Sequence, residues 1–183
     1  EPIIVVDDVS MSFRKDDGIS IDVLHGISFK VRRGETICIL GGSGGGKSTL
    51  LKVMIGAHTP TRGDVQMGGQ SIVGLRERDM NVVRRRFGVL FQSAALLNSM
   101  TVGENVALPI EAHTRLDPQT IDIMVRVKLE QVGLSDAYDR LPSEISGGMQ
   151  KRAGLARAIA LDPEIVFYDE PSAGLDPIAT AVI

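Results

Sequence analysis

Nine residues, GGSGGGKST at 41–49, constrain this chain more than any other stretch. Five of the nine are glycine. Each glycine fixed inside a helix or strand costs roughly 0.5–1 kcal/mol relative to alanine, so such a run belongs in a loop. Its flanks say which kind. Before it stands TICIL (36–40), a short continuous apolar run of the sort expected for a strand buried on both faces. After it, KSTLLKVMIG (47–56) reads as a helix closed by Gly56. Strand, glycine loop and helix are the context in which G-x-x-x-x-G-K-[ST] holds phosphate. The glycines let backbone N–H groups turn inward around β- and γ-phosphates, Lys47 brings a positive charge to them, the Ser48 hydroxyl suits Mg²⁺, and the helix dipole adds to the field. The candidate phosphate-binding residues are therefore Gly41, Gly42, Ser43, Gly44, Gly45, Gly46, Lys47, Ser48 and Thr49.

The rest of the chain alternates strand and helix patterns. PIIVVDDVSMSF (2–13) and ISIDVLHGISFKVRRGE (19–35), with turn signals at 16–18 and 33–34, read as antiparallel strands. FGVLF (87–91) and EIVFYD (164–169) read as two more buried strands. Asp117 before Pro118 is an N-cap with proline at the first helical position; Ile121, Met124, Val125, Lys128, Leu129 and Val132 follow at helical spacing, and Gly133 ends the run. A further helix is expected from Ser146 to about Leu161, before Asp162 and Pro163. The expected architecture is α/β: one domain over 1–183, with a parallel phosphate-loop core, an antiparallel strand region mostly in front of it, and a helical subdomain inserted at about 93–156.

At 183 residues the chain is long enough for a sizeable core. A net charge of −3 supplies no overall basic field, so nothing points to a nucleic-acid partner. The basic clusters (Arg32 and Arg33, Arg84 to Arg86, Lys151 and Arg152) read as solvated faces. The single cysteine, Cys38, lies in the apolar run TICIL and reads as a buried structural thiol. No apolar run approaches the roughly 18 residues of a membrane helix, and no signal peptide is visible, so any membrane role must come through a partner.

The run EIVFYDE brings Asp169 to the carboxyl end of a strand, where ligands sit in open parallel sheets. Asp169 would hold Mg²⁺ through a water, and Glu170 would orient or deprotonate an attacking water. A second glycine-rich segment, ISGGMQKR (145–152), starts a helix with Ser146 as N-cap and free N–H groups suited to an anion. On its own this is a plain helix start. The order of features carries more: phosphate loop, glutamine after a strand, helical region, S-G-G, then the Asp-Glu strand.

That order resembles the nucleotide-binding domain of ABC transporters over essentially the whole chain. The resemblance implies an ATPase whose ligands are ATP and Mg²⁺. It implies two copies paired head to tail, with Ser146, Gly147 and Gly148 closing on the ATP held by the partner's phosphate loop. Phe13 matches an aromatic that stacks on adenine, although a core phenylalanine fits it too. Gln92 matches a glutamine that touches Mg²⁺ and senses the membrane partner, and Asp176, in SAGLD (172–176), matches a loop that crosses the dimer interface.

The variant S-G-G-M, FQSAAL after the strand, and ENVALP resemble the ATPase of MCE-type (Mla) phospholipid transporters and their plastid relative. This implies an integral membrane permease, an MCE-domain lipid-binding protein, and a peripheral location on the cytoplasmic face of the inner membrane or the stromal face of a plastid envelope. SAALLNSM (93–100) would then receive a permease helix, or simply pack the helical insertion. Two departures stand out. Met149 replaces the usual glutamine of S-G-G-Q and lacks its amide donors. The family's switch histidine would fall beyond Ile183, so the chain is expected to be a fragment with poor or no turnover of its own. The alternatives are an ABC importer ATPase for a polar amino acid, a soluble ABC ATPase outside transport, and a phosphate-loop kinase.

Overall fold

The computed structural model describes residues 1–16 and 18–170. They fall into two compact units, one of Glu1–Arg84 and one from Arg85 onward.

The first unit is built on an antiparallel sheet of β1 (Pro2–Arg14), β2 (Ser20–Arg32), β3 (Arg62–Met67) and β4 (Gln70–Ser71), in the order β2-β1-β3-β4. Helices α1 (Lys47–Met54) and α2 (Glu77–Arg84) complete it. Along β1 the buried side chains Ile4 and Val6 are followed by Val9 and Met11, a change of phase by one residue. A bulge causes it: the register with β2 shifts between Val6 and Val9, and Asp8 takes a left-handed φ of 48° there. One extra residue at that point keeps the apolar side chains on one face across both halves of the strand.

In the second unit β5 (Phe87–Leu90) and β6 (Ile165–Tyr168) pair in parallel, and α3 (Val102–His113), α4 (Pro118–Gln131) and α5 (Gly147–Ala158) pack around an apolar cluster of Val102, Val106, Ile110, Val125, Leu129, Ala153 and Ala156. The helix starts are as the sequence implies. Asp117 accepts from the N–H groups of Gln119 and Thr120 ahead of α4, and Gly133 with φ 65° ends it. At α3, Thr101 and Glu104 form a reciprocal capping box. The Lys128 stem is buried in this core, and its ammonium reaches Asp162 at 2.5 Å.

Three expectations are corrected. TICIL forms no helix or strand and pairs with no strand among the described residues, and Leu40 is 91% exposed. An apolar run describes a strand that is fit for burial, whereas burial itself needs neighbours at both edges and a layer on each face. Cys38, in the same run, is accordingly exposed rather than a buried thiol. The basic clusters are only partly solvated. Arg86 pairs with Glu164 at 3.1 Å, Lys151 is buried, and Arg152 donates to the carbonyls of Val132 and Gly133, capping α4.

Candidate functional site

In the first unit the glycine loop is shaped by its backbone. Gly44 and Gly46 are left-handed, with φ of 77° and 81°. Alternation of that kind turns successive N–H groups toward one side and makes an anion-binding concavity. The Gly45 N–H donates back to the Gly42 carbonyl at 3.1 Å. Gly46 is also the N-cap of α1, and it offers no side-chain cap to the first turn. A Cβ on Gly46 would come within 2.9 Å of Leu24 Cδ2 and 3.0 Å of the Val23 carbonyl, so the loop lies directly on β2. The Lys47 ammonium donates to the carbonyls of Gly41 and Gly42, each at 2.9 Å, and stands at the loop's opening. Ser43 and Ser48 are exposed, and Thr49 is half-buried.

Strand β2 also relates Phe13 to this loop. Phe13 pairs across the sheet with Ile21, two residues before Val23, a separation of about 7 Å along a strand. Its ring is 37% exposed and stands edge-on to His58, with centroids 5.6 Å apart. Such a ring is not a core phenylalanine; it offers apolar surface beside the glycine loop.

In the second unit the parallel register sets Phe87 opposite Ile165 and Leu90 opposite Tyr168, and the Asp169 N–H continues the ladder to the Leu90 carbonyl at 2.9 Å. Gln92 and the pair Asp169–Glu170 therefore leave the same end of the two-stranded sheet. Gln92 and Glu170 are exposed and Asp169 is half-buried. Glu170 has a left-handed φ of 48°. That conformation costs a non-glycine residue on the order of 1 kcal/mol and is concentrated at functional sites.

The segment after Gln92 is divided between two environments. Ala94 is buried and Leu96 packs on the helical core, while Leu97 is exposed. The expectation that SAALLNSM packs the helical insertion is thus met for Ala94 and Leu96. Ala94 and Ala95 have φ of 58° and 50°. Two side chains that the sequence reading overlooked secure this segment. Arg157 donates from Nη2 to the Ala94 carbonyl at 2.7 Å and from Nη1 to the Ala95 carbonyl at 2.8 Å. Burial pulls its guanidinium below the ordinary arginine value, and the two carbonyl contacts offset that desolvation. Asn105, fully buried, accepts from the Leu97 N–H at 2.7 Å and donates to the carbonyls of Leu97, Met100 and Thr101. Arg157 belongs to none of the motifs above, and Asn105 lies in ENVALP, whose resemblance says nothing of its contacts. The structural signal for Asn105 is a polar residue on the apolar face of a helix.

At the start of α5, Ser146 accepts from the Met149 N–H at 3.2 Å, as an N-cap should. Met149 packs against the helical core, and the Gln150 amide is engaged with the Pro142 carbonyl at 2.8 Å. The Gln150 side-chain nitrogen is thus turned toward its own chain at Pro142 and Ile145. A Cβ on Gly147 would meet nothing within 4 Å among the described residues. Asp176 lies outside the described residues.

Comparison with known proteins places these features in a family. The ABC transporter family description matches residues 24–173. The intermembrane phospholipid transport system ATP-binding protein MlaF of Haemophilus influenzae is 45% identical over 95% of this chain and 65% of its own. The chloroplastic protein trigalactosyldiacylglycerol 3 of Arabidopsis thaliana is 44% identical over 88% of this chain and 48% of its own. The chain thus spans about half to two-thirds of these relatives' length. A dimeric ATP-binding cassette solved in a post-hydrolysis state with ADP and Pi superposes with a TM-score of 0.91 at 27% identity, over 98% of this chain and 79% of that one. The glycine loop on β2, the parallel β5–β6 pair ending in Asp169 and Glu170, and the helical region between those strands are therefore the parts of an ATP-binding cassette, and the chain belongs to the ABC transporter family.

Proposed function

We propose that this chain is the ATP-hydrolysing motor portion of an ABC transporter that moves phospholipid between membranes. The observation that carries the ATPase reading is the parallel register of β5 with β6, which sends Gln92 and Asp169–Glu170 out of one sheet end. In this reading the N–H groups of 43–48 and the Lys47 ammonium hold the β- and γ-phosphates, and Phe13 supports the adenine. The glycine concavity suits phosphate, and the Ser48 hydroxyl, Gln92 amide oxygen and Asp169 carboxylate are the hard oxygen donors that Mg²⁺ takes. Mg²⁺ held by these residues would neutralise charge that develops on the phosphate oxygens. Glu170 accepts a proton from the attacking water, leaving ADP and inorganic phosphate as products. Ser146, Gly147 and Gly148 serve the ATP of a second copy, so that hydrolysis opens a head-to-tail dimer, with Asp176 at the interface.

The phospholipid cargo rests on the 45% identity to the MlaF relative and on the resemblance of the S-G-G-M, FQSAAL and ENVALP segments to that family. No described helix is long and apolar enough to cross a membrane. The motor would act from the cytoplasmic face of the inner membrane through an integral permease and an MCE-domain protein. Two measurements on the full-length protein test this. Glu170→Gln should trap a dimer in MgATP, and a variant that stays monomeric at saturating MgATP refutes the head-to-tail site. Mass spectrometry of the complex extracted in mild detergent should find an MCE protein with phospholipid; a soluble binding protein for a polar solute would replace the cargo while keeping the motor.

A further inference from the structure

The strongest feature that the proposed motor does not yet use is the contact between α5 and the segment after Gln92. It is made at two points one helical turn apart. At Gly154 a Cβ would come within 3.0 Å of both the Ala94 Cβ and Leu90 Cδ1, so the helix backbone presses directly on the turn. At Arg157 both guanidinium nitrogens donate to the successive carbonyls of Ala94 and Ala95. A bidentate fork fixes orientation as well as distance, which a single donor does not. The turn it fixes is one the chain does not choose: two consecutive alanines with left-handed φ. Such a conformation persists only where its surroundings hold it. Gln92 is two residues upstream of Ala94, with Ser93 alone between them.

We propose that Arg157 is the positioning residue for Gln92: its fork holds the Ala94–Ala95 turn, and the turn sets where the Gln92 side chain meets the metal of the nucleotide site. The inference rests on the metal role of Gln92 proposed above. It has a consequence for communication between sites. Arg157 stands in the last turn of α5, whose first turn follows Ser146. A 12-residue helix is about 18 Å of rigid backbone. A shift of its N-terminus against a partner's ATP is therefore delivered to the Gln92 segment of its own site. The direction of that push is fixed by contact at Gly154 and Arg157.

The test uses the full-length ATPase in its native assembly, with MgATP as the probe. Arg157→Lys keeps the charge but offers one ammonium to two carbonyls; Arg157→Gln removes the charge. Both should raise the half-saturating Mg²⁺ concentration for hydrolysis and lower kcat by roughly 10–100-fold, the usual effect of losing a residue that orients a metal ligand. The lysine variant should be the milder, and metal-free ATP binding should be unchanged. Combined with Gln92→Ala, neither substitution should lower kcat further, because both act through one group. If kcat falls with no change in Mg²⁺ dependence, or if the losses multiply in the double variants, Arg157 is only a structural tether and the proposal is wrong. If Gln92→Ala itself leaves the Mg²⁺ dependence unchanged, the metal role of Gln92 falls, and the proposal falls with it.

Discussion

Gly88 lies in the middle of β5, where the strand meets the end of α5. A Cβ built there would stand 2.0 Å from the Ala158 carbonyl oxygen, 2.8 Å from its carbon and 3.3 Å from its Cα. All three are backbone atoms, so no side-chain rotation relieves the overlap. Gly88→Ala must push the last turn of α5 outward by roughly 1.4 Å to restore ordinary contact. Overpacking of this kind costs about 1–3 kcal/mol. The same movement stretches the neighbouring Arg157 bonds of 2.7 and 2.8 Å past useful length. Each is a bond from a charged group, and losing one costs on the order of 1.5 kcal/mol. The expected total is about 4–6 kcal/mol, a large part of the roughly 5–15 kcal/mol that holds a typical protein together. Equilibrium urea unfolding of the full-length protein, wild type against Gly88→Ala, measures it. The midpoint should fall at unchanged slope. A loss below about 1 kcal/mol would mean that α5 can yield freely here, and the close strand–helix contact would not be a constraint on the sequence.

Further outcomes follow from single groups. Lys47→Ala should weaken ATP binding in calorimetry by roughly 10–100-fold, the worth of one charge-assisted contact to phosphate; unchanged affinity removes the phosphate-loop reading. Gly147→Ala should leave folding stability unchanged or raised by up to about 0.5 kcal/mol while lowering hydrolysis by the dimer; full activity would mean that nothing approaches this residue. The Tyr138 phenol, pushed up to about 12 chiefly by its bond to Asp122, should titrate there by ultraviolet absorbance and return toward about 10 in Asp122→Asn; an unmoved titration refutes the pairing. The sign follows from the direction of each shift. The Tyr138 contribution to stability is whole below pH of about 10 and lost as pH rises through about 12, whereas that of Asp122, whose carboxyl is held down by Arg126 and then by Tyr138, is present above pH of about 4 and lost as pH falls below it.

What the sequence made legible was local chemistry. The Asp117 cap, the helical face from Ile121 to Val132, the Gly133 stop and the Ser146 cap all depend on residues within a few positions of one another, and all appear as expected. The antiparallel pairing of β1 with β2 was legible for the same reason, as two runs joined by a short turn. The readings that failed depend on distant neighbours, although the parallel pairing of β5 with β6 was expected and is found. TICIL has the composition of a buried strand, yet Cys38 and Leu40 are exposed because no strand among the described residues pairs with that run. Arg86 and Arg152 looked like solvent-facing charges, since their partners Glu164 and Val132 are 78 and 20 residues away. The bonds of Arg157 were invisible for the same reason, because they span 62 and 63 residues.

The glycines of α5 separate what the fold requires from what it does not. A glycine inside a helix costs roughly 0.5–1 kcal/mol relative to alanine, so each needs a reason. Gly154 has one within the chain: it lets the helix backbone come down on Leu90 and Ala94, where a methyl group would collide. Gly147 has none among the described residues, since a Cβ there would stand in open space. Alanine at Gly147 would fold as well or better, and the φ is not one that demands glycine. Packing among the described residues thus accounts for Gly154 but not for Gly147. Access matters only if something must reach the backbone N–H groups at the helix start, where the dipole favours an anion. The open space at Gly147 is what the proposed head-to-tail arrangement would need of S-G-G. A phosphate borne by a second copy is the one group in the proposed mechanism that would need that bare approach.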